Sequence, residues 1–389
     1  MNLPYLLLAI LTLLFIGYLV WNNGRQKSQG NSYNPFSEDY LLGLNYLLGE
    51  QPDKAVDIFI KLLEVDSETV ETHLALGHLF RRRGEVDRAI RIHQNLIAKP
   101  QLSKKQRTQA TLALGEDYLR AGVLDRAERL LLDVVQSGEF QIPALKMLLD
   151  IYEQEKEWVR AIQTAEKYQQ VSNEPLFARI AHYNCELAID SRLRFGSEQA
   201  AKYLKLALVS DKNCVRASLL QGSWDMEQQD YKQAIKCFRR VADQDIWFLT
   251  EVIKPLGECY EKLGQSEEYY QLLHRYQNQA PRLSLVLVLS ERILQEQGAL
   301  AASEFVTEQL YAKPSLSGLS RLIELQKLLS ADTAKYNLQL LFNITQQLIM
   351  LKPVYRCENC GYAGKVLHWQ CPSCRQWGSV KSIQGLEGE

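Results

Sequence analysis

The sequence predicts an all-α chain: stacked helical hairpins, preceded by a membrane-crossing helix and followed by a small metal-binding domain. Three observations lead there. Ala55 and Ala89, Ala127 and Ala161, and Ala200 and Ala234 are each separated by 34 residues, the length of a tetratricopeptide unit of two antiparallel helices and their turns. An uncharged apolar run opens the chain, and two Cys-x-x-Cys pairs stand near its end. A solenoid of such hairpins buries a core by stacking but builds no catalytic pocket of its own, so a binding scaffold is expected and an enzyme is not.

The apolar run, residues 3–21, is just long enough to span a bilayer, with Tyr5 and Trp21 near its ends where aromatic rings favour the interface. No Lys or Arg precedes it and no small-residue cleavage site follows, which argues for an uncleaved anchor over a signal peptide. Residues 1–21 are therefore expected to form a transmembrane helix. Arg25 and Lys27 follow the span, so the positive-inside rule places the bulk of the chain on the cytoplasmic side. Residues 22–36 are polar and rich in Asn, Gly and Ser, as suits a flexible juxtamembrane linker.

The tetratricopeptide-repeat solenoid is expected over residues 37–352, in about nine units. Gly43, Gly77 and Gly115 each precede one of the alanines by 12 residues, and Tyr46, Phe80 and Tyr118 follow each glycine by three. Small residues let paired helices approach, and the aromatics fill the space beside them. The 38-residue step from Ala89 to Ala127 places extra residues near Pro100, and the 39-residue step to Ala200 lengthens the segment 191–197. Gly222, Ala234 and Phe238 mark a later unit. Gly257, Tyr260 and Gly264 mark the next, with Tyr269 where a small residue is expected. Beyond Pro281 two degenerate hairpins continue to about Leu351. In the second unit Gly84 is read as a left-handed cap, Glu85 and Asp87 as the acidic start of the following helix, and Leu76, Leu79 and Phe80 as one buried face.

Residues 353–389 break the helical pattern. Cys357 and Cys360, then Cys371 and Cys374, form two pairs whose turns aim four thiolates at one metal ion. So short a segment needs the metal to fold. Zinc as a structural staple is expected, and an electron-carrying iron centre is the alternative, since thiolate tetrahedra accept either. Tyr355, Tyr362, Trp369 and Trp377 are expected to pack around the site. The other cysteines, Cys185, Cys214, Cys237 and Cys259, read as small buried apolar residues.

Other chemistry is absent from the pattern. Lys plus Arg number 45 against 46 for Asp plus Glu, so no global field attracts nucleic acid, and none is expected as a partner. No phosphate loop, dinucleotide fingerprint or nucleophile elbow appears. His73, His78 and His93 lack a metal-site spacing and read as packing or surface residues. Arg81, Arg82 and Arg83 read as a solvated helix end, with contact to an acidic partner as the alternative.

Two stretches carry a resemblance to a known family: LGHLFRRRGEVDRAIRIHQNL in the second unit, and YRCENCGY with HWQCPSCRQWGSVKSIQGLEG in the tail. With the order of parts, they resemble the lipopolysaccharide assembly protein B family of Gram-negative inner membranes. The resemblance implies a single N-terminal span, about nine repeats, and a rubredoxin-like metal domain packed on them with Cys357, Cys360, Cys371 and Cys374 as ligands. It further implies a non-enzymatic inner-membrane adaptor. Such an adaptor presents LpxC, the committed-step deacetylase of lipid A synthesis, to the membrane protease FtsH, and a membrane-embedded lipopolysaccharide sensor relieves that action. An electron-transfer protein and a general lipopolysaccharide assembly or transport scaffold are the alternative functions, and a homo-oligomer is left open. The late repeats, residues 284–350, depart from the family pattern.

Overall fold

The computed structural model describes residues 38–48, 54–55, 58, 70–386 and 388. The expected span (1–21) and linker (22–36) lie outside them. Among the described residues no helix is long and apolar enough to cross a membrane. The chain forms two compact units that divide between Ala144 and Leu145.

In the first unit α1 (Glu38–Leu48), α2 (Val70–Arg82), α3 (Val86–Ile97), α4 (Lys104–Arg120) and α5 (Leu124–Ser137) follow in order. The extra residues around Pro100 connect α3 to α4, and Ser103 and Gln106 close a capping box at the start of α4. Ala55, Leu76, Phe80, Ala89 and Ile92 share one core, with Leu44 and Tyr46 against it. Leu79 is a correction: it is 44% exposed, because it lies at the edge of the face that Leu76 and Phe80 bury. Gly77 explains how closely α2 and α3 approach. A Cβ there would lie 2.3 Å from Nε2 of His93, a buried imidazole.

Helix α6 (Gln141–Glu155) crosses the division. The second unit continues with α7 (Trp158–Ser172), α8 (Phe177–Phe195), α9 (Ser197–Ser210), α10 (Val215–Glu227) and α11 (Tyr231–Gln244). A 3-10 turn (Ile246–Phe248) leads to α12 (Leu249–Lys262), α13 (Ser266–Gln279), α14 (Leu283–Gln297), α15 (Ala299–Ala312), α16 (Leu316–Leu329) and α17 (Asp332–Leu351). The 39-residue step is absorbed by α8, which is 19 residues long. All six spaced alanines have no exposed surface, whichever unit they belong to. Tyr269 fits without the expected small residue because it lies against Gly257 and its hydroxyl donates to the Ile253 carbonyl at 2.9 Å. Pro281-Arg282-Leu283-Ser284 and Pro314-Ser315-Leu316-Ser317, 33 residues apart, open α14 and α16. They are a repeat signature inside the segment where the sequence pattern fades.

The first helices of several hairpins end alike. The N–H of Gly84 bonds the Arg81 carbonyl and that of Glu85 bonds the Phe80 carbonyl, the paired bonds of a Schellman cap. Gly122, Lys156, Gln229 and Gly264 repeat it with the same two bonds. Each of these residues has φ between +57° and +82°. Lys156 and Gln229 hold this left-handed conformation with a side chain, which costs roughly 1 kcal/mol.

After α17 the chain makes a three-stranded antiparallel sheet in the order β2-β1-β3, with β1 Tyr355–Cys357, β2 Ala363–Gly364 and β3 Val380–Ser382.

Gln229→Gly is expected to stabilise the chain by about 0.5–1 kcal/mol by relieving the left-handed residue. Gly222→Ala is expected to destabilise it by about 1–3 kcal/mol, because its Cβ would meet the Phe238 ring at 2.6 Å. Thermal unfolding of the two variants should shift in opposite directions.

Candidate metal centre

The two Cys-x-x-Cys turns have one backbone design. In the first, Cys357 N–H bonds the Tyr362 carbonyl at 2.7 Å and Gly361 N–H bonds the Cys357 carbonyl at 3.0 Å. In the second, Cys371 N–H bonds the Gln376 carbonyl at 3.0 Å and Arg375 N–H bonds the Cys371 carbonyl at 2.9 Å. Gly361 and Arg375, at matching positions, both have positive φ, +77° and +57°. Each turn folds back on itself and points its two thiols the same way.

The four sulfurs all lie within 4.8 Å of one another. Cys357 to Cys374 is 3.7 Å and Cys360 to Cys371 is 3.6 Å. These separations are far from a disulfide bond of about 2.05 Å. They match the edge of about 3.8 Å for a tetrahedron with metal–sulfur bonds near 2.3 Å. Burial alone would raise the Cys357 thiol, but the Ser379 hydroxyl and the N–H groups of Cys360 and Asn359 bring it down to about 6, favouring the thiolate a metal requires. The residues therefore fit one ion with four thiolate ligands and no open position. Cys357, Cys371 and Val380 form the small core, with Tyr355, Tyr362 and Leu367 packed against it.

The domain is seated on the helices of the second unit through one buried carboxylate. Glu153, near the end of α6, accepts from Trp377 Nε1 at 2.7 Å, Gln370 Nε2 at 3.0 Å, the Tyr183 hydroxyl at 2.6 Å and Arg179 Nε at 2.8 Å. Its side chain is only 4% exposed. Around it, Trp377 stacks on His182 at 5.1 Å and meets Trp158 and Tyr183 edge-on, while Trp369 stacks on Phe248 at 5.3 Å. Arg216 lies 5.9 Å from the centres of both Trp369 and Trp377 and pairs with Glu186 at 2.8 Å. Farther along, the Tyr355 hydroxyl donates to Glu251 at 2.7 Å and Lys381 pairs with Asp245 at 3.2 Å. Burial and the nearby Arg216 charge hold His182 neutral, its pKa lowered to about 3.

A family model described as a rubredoxin metal binding domain matches residues 355–382, and one described as a tetratricopeptide repeat matches residues 72–105. The lipopolysaccharide assembly protein B of Escherichia coli K12 is 38% identical over 373 residues, covering 95% of this chain and 96% of its own. That of Haemophilus influenzae is 36% identical over 381 residues, with the same coverage. The chain belongs to the lipopolysaccharide assembly protein B family. A tetratricopeptide repeat protein from Parabacteroides merdae superposes with a TM-score of 0.34 at 14% identity, over 67% of this chain and 99% of that one.

In this family member the four predicted cysteines come together, while the aromatics divide. Tyr355 and Tyr362 stay by the centre, but Trp369 and Trp377 turn to the helices, because the domain's own core is too small to bury an indole. Arg81 is a second correction. Its side chain is 8% exposed and bridges from α2 to Glu116 and Asp117 of α4 at 2.6 and 2.7 Å, so it is a helix-to-helix brace and not a solvated end. Asp117 also bonds the buried His93, which is thus a packing residue. Cys185, Cys214, Cys237 and Cys259 are buried. Glu153, His182 and Arg216 escaped the sequence reading because nothing local sets them apart from ordinary helix residues. The tryptophans flanking the second knuckle were the available sign of a docking face.

Glu153→Ala would leave four donors without their acceptor and cost about 2–3 kcal/mol. Hydrogen exchange should show lost protection around Trp377 while α2 to α4 stay protected. The neutral His182 contributes stability that is complete above the unfolded pKa of 6.5 and lost as pH falls toward about 3. Replacing it in His182→Phe should remove a pH-dependent loss of roughly 2 kcal/mol between pH 7 and 5. Chemical denaturation of both proteins at the two pH values measures the difference.

Proposed function

We propose that this chain is a non-enzymatic adaptor in lipopolysaccharide assembly, tethered to the inner membrane by residues 1–21 with its bulk on the cytoplasmic side. It brings LpxC, the lipid A deacetylase, to the FtsH protease for degradation, under control of a membrane-embedded sensor. The observation that carries the lipopolysaccharide role is the match to proteins named for lipopolysaccharide assembly over 95% of the chain. Two features support a binding role over a chemical one. Stacked hairpins offer extended faces suited to proteins, and a four-thiolate centre has no open coordination position for a substrate. A tether raises the local concentration of a client near other membrane proteins without any new contact.

A second reading rests on Cys360, an exposed ligand through which an electron would pass if the metal were iron. Metal analysis and visible absorption of protein purified without added metal distinguish the two: colourless zinc protein removes electron transfer. For the adaptor, Cys371→Ser combined with Cys374→Ser should unfold residues 353–389 and lengthen the half-life of the deacetylase in cells several-fold. Unchanged turnover in a strain making the double variant at normal levels would refute the role. Crosslinking from membranes should recover the protease and the deacetylase with the unaltered chain.

A further inference from the structure

Two of the scattered cysteines meet in the second unit. The sulfurs of Cys185 and Cys214 lie 3.9 Å apart, and the residues are 0% and 4% exposed. Cys185 belongs to α8, and Cys214 is the residue on which α10 begins. The stretch of 29 residues between them holds α9. Small neighbours, Ala181, Ala188, Ala207 and Ala217, share their core and let the two helices approach. Cys237, by contrast, meets the Asp225 carboxylate. A disulfide bond of about 2.05 Å needs the two sulfurs to close by about 1.9 Å, which side-chain rotation covers. Beside the pair, Glu186 and Arg216 already join α8 to α10 at 2.8 Å, and Arg216 faces Trp369 and Trp377.

The two sulfurs differ in character. Contact with the Cys185 thiol brings Cys214 below the ordinary thiol range, opposed by burial and helped by the Ala217 N–H at the start of α10. The same contact, with burial, holds Cys185 well above it. Cys214 is therefore the sulfur that ionises and attacks, and Cys185 the one that resolves. Cys214 also follows a turn with Lys212 and Asn213 exposed, so a small uncharged oxidant reaches it by a local opening. We propose that Cys185 and Cys214 form an oxidation site, at which hydrogen peroxide closes a disulfide that ties α8 to α10 beside the seat of the metal domain. The Cys214 thiolate attacks one peroxide oxygen; an S–O bond forms, the O–O bond breaks, and hydroxide leaves to take up the thiol's proton as water. The Cys185 sulfur then attacks the Cys214 sulfenic acid; the S–S bond forms, the S–O bond breaks, and the hydroxyl leaves as water with the Cys185 proton. Each sulfur gives up one electron, and the peroxide takes both. The pair shares no residue with the metal ligands and does not depend on the adaptor reading.

Peptide mapping of the full-length chain in lipid nanodiscs, alkylated without reductant after graded hydrogen peroxide, tests it. A cross-linked peptide pair holding Cys185 and Cys214 should appear, and dithiothreitol should reverse it. The two thiols should be lost in step, roughly tenfold faster than Cys237 and Cys259, which burial pushes up to about 11. The cross-linked protein should melt a few degrees higher, because the bond constrains a long loop of the unfolded chain. Dimedone, which traps sulfenic acids, should label Cys214 in Cys185→Ala and leave Cys185 unlabelled in Cys214→Ala. Metal analysis of the same samples shows whether the ion is still bound. Cross-linking only after the ion has left, loss of all four thiols at one rate, or sulfenic acid at Cys185 in place of Cys214 would each overturn the proposal. If the alanine variants do not fold, the map of the unaltered chain decides alone: free thiols at both positions, at the highest dose that leaves the metal bound, overturn it.

Discussion

One buried carboxylate joins the metal domain to the helices of the second unit. Glu153 takes hydrogen bonds from two residues of the metal domain and two of α8. A carboxylate out of water is costly unless its lone pairs are met, so the burial of Glu153 depends on the tail arriving with two of its four donors. The dependence is mutual. Residues 353–389 have too little apolar surface to stand alone; the metal sets their fold, and the helices provide the burial that two tryptophans require. Phe248, His182 and Tyr183 line the aromatic bed, and Arg216 lies between the indoles as a cation against their faces.

This arrangement gives the thiolate centre a mechanical meaning. Closed tetrahedral sites contribute folding free energy and little chemistry. Here that energy is conveyed past the knuckles to four alternate helices, α6, α8, α10 and α12, through Glu153, His182, Arg216 and Glu251. The repeats of the second unit are thereby fixed against one another by a clamp made from a distant part of the sequence, which is more than nearest-neighbour stacking supplies.

The repeating parts of the fold were legible because they are periodic. Six alanines marked helix pairs, and each is wholly buried. Gly77 and Gly84 were readable from local rules, one for close approach and one for a left-handed cap. The caps at Lys156 and Gln229 were not, since the residue that usually betrays that conformation is missing. The metal ligands were legible from spacing alone. What holds the domain in place was not, because Glu153, His182 and Arg216 act only through partners far away in the chain. Arg81 misled for the same reason: three consecutive arginines look like a helix end, and only the fold shows that Asp117 lies opposite the first.

Glu153 and Trp377 are 224 residues apart, and Glu153 and Gln370 are 217 apart. The ribosome makes the acceptor long before its donors. For that interval α6, α8 and α10 can stack, yet the aromatic bed and the carboxylate stay open to water or to other chains, since contacts this remote in sequence form late. A chain cut short before Gln370 would have its hairpins but not the two donors that complete the hydrogen bonding of Glu153.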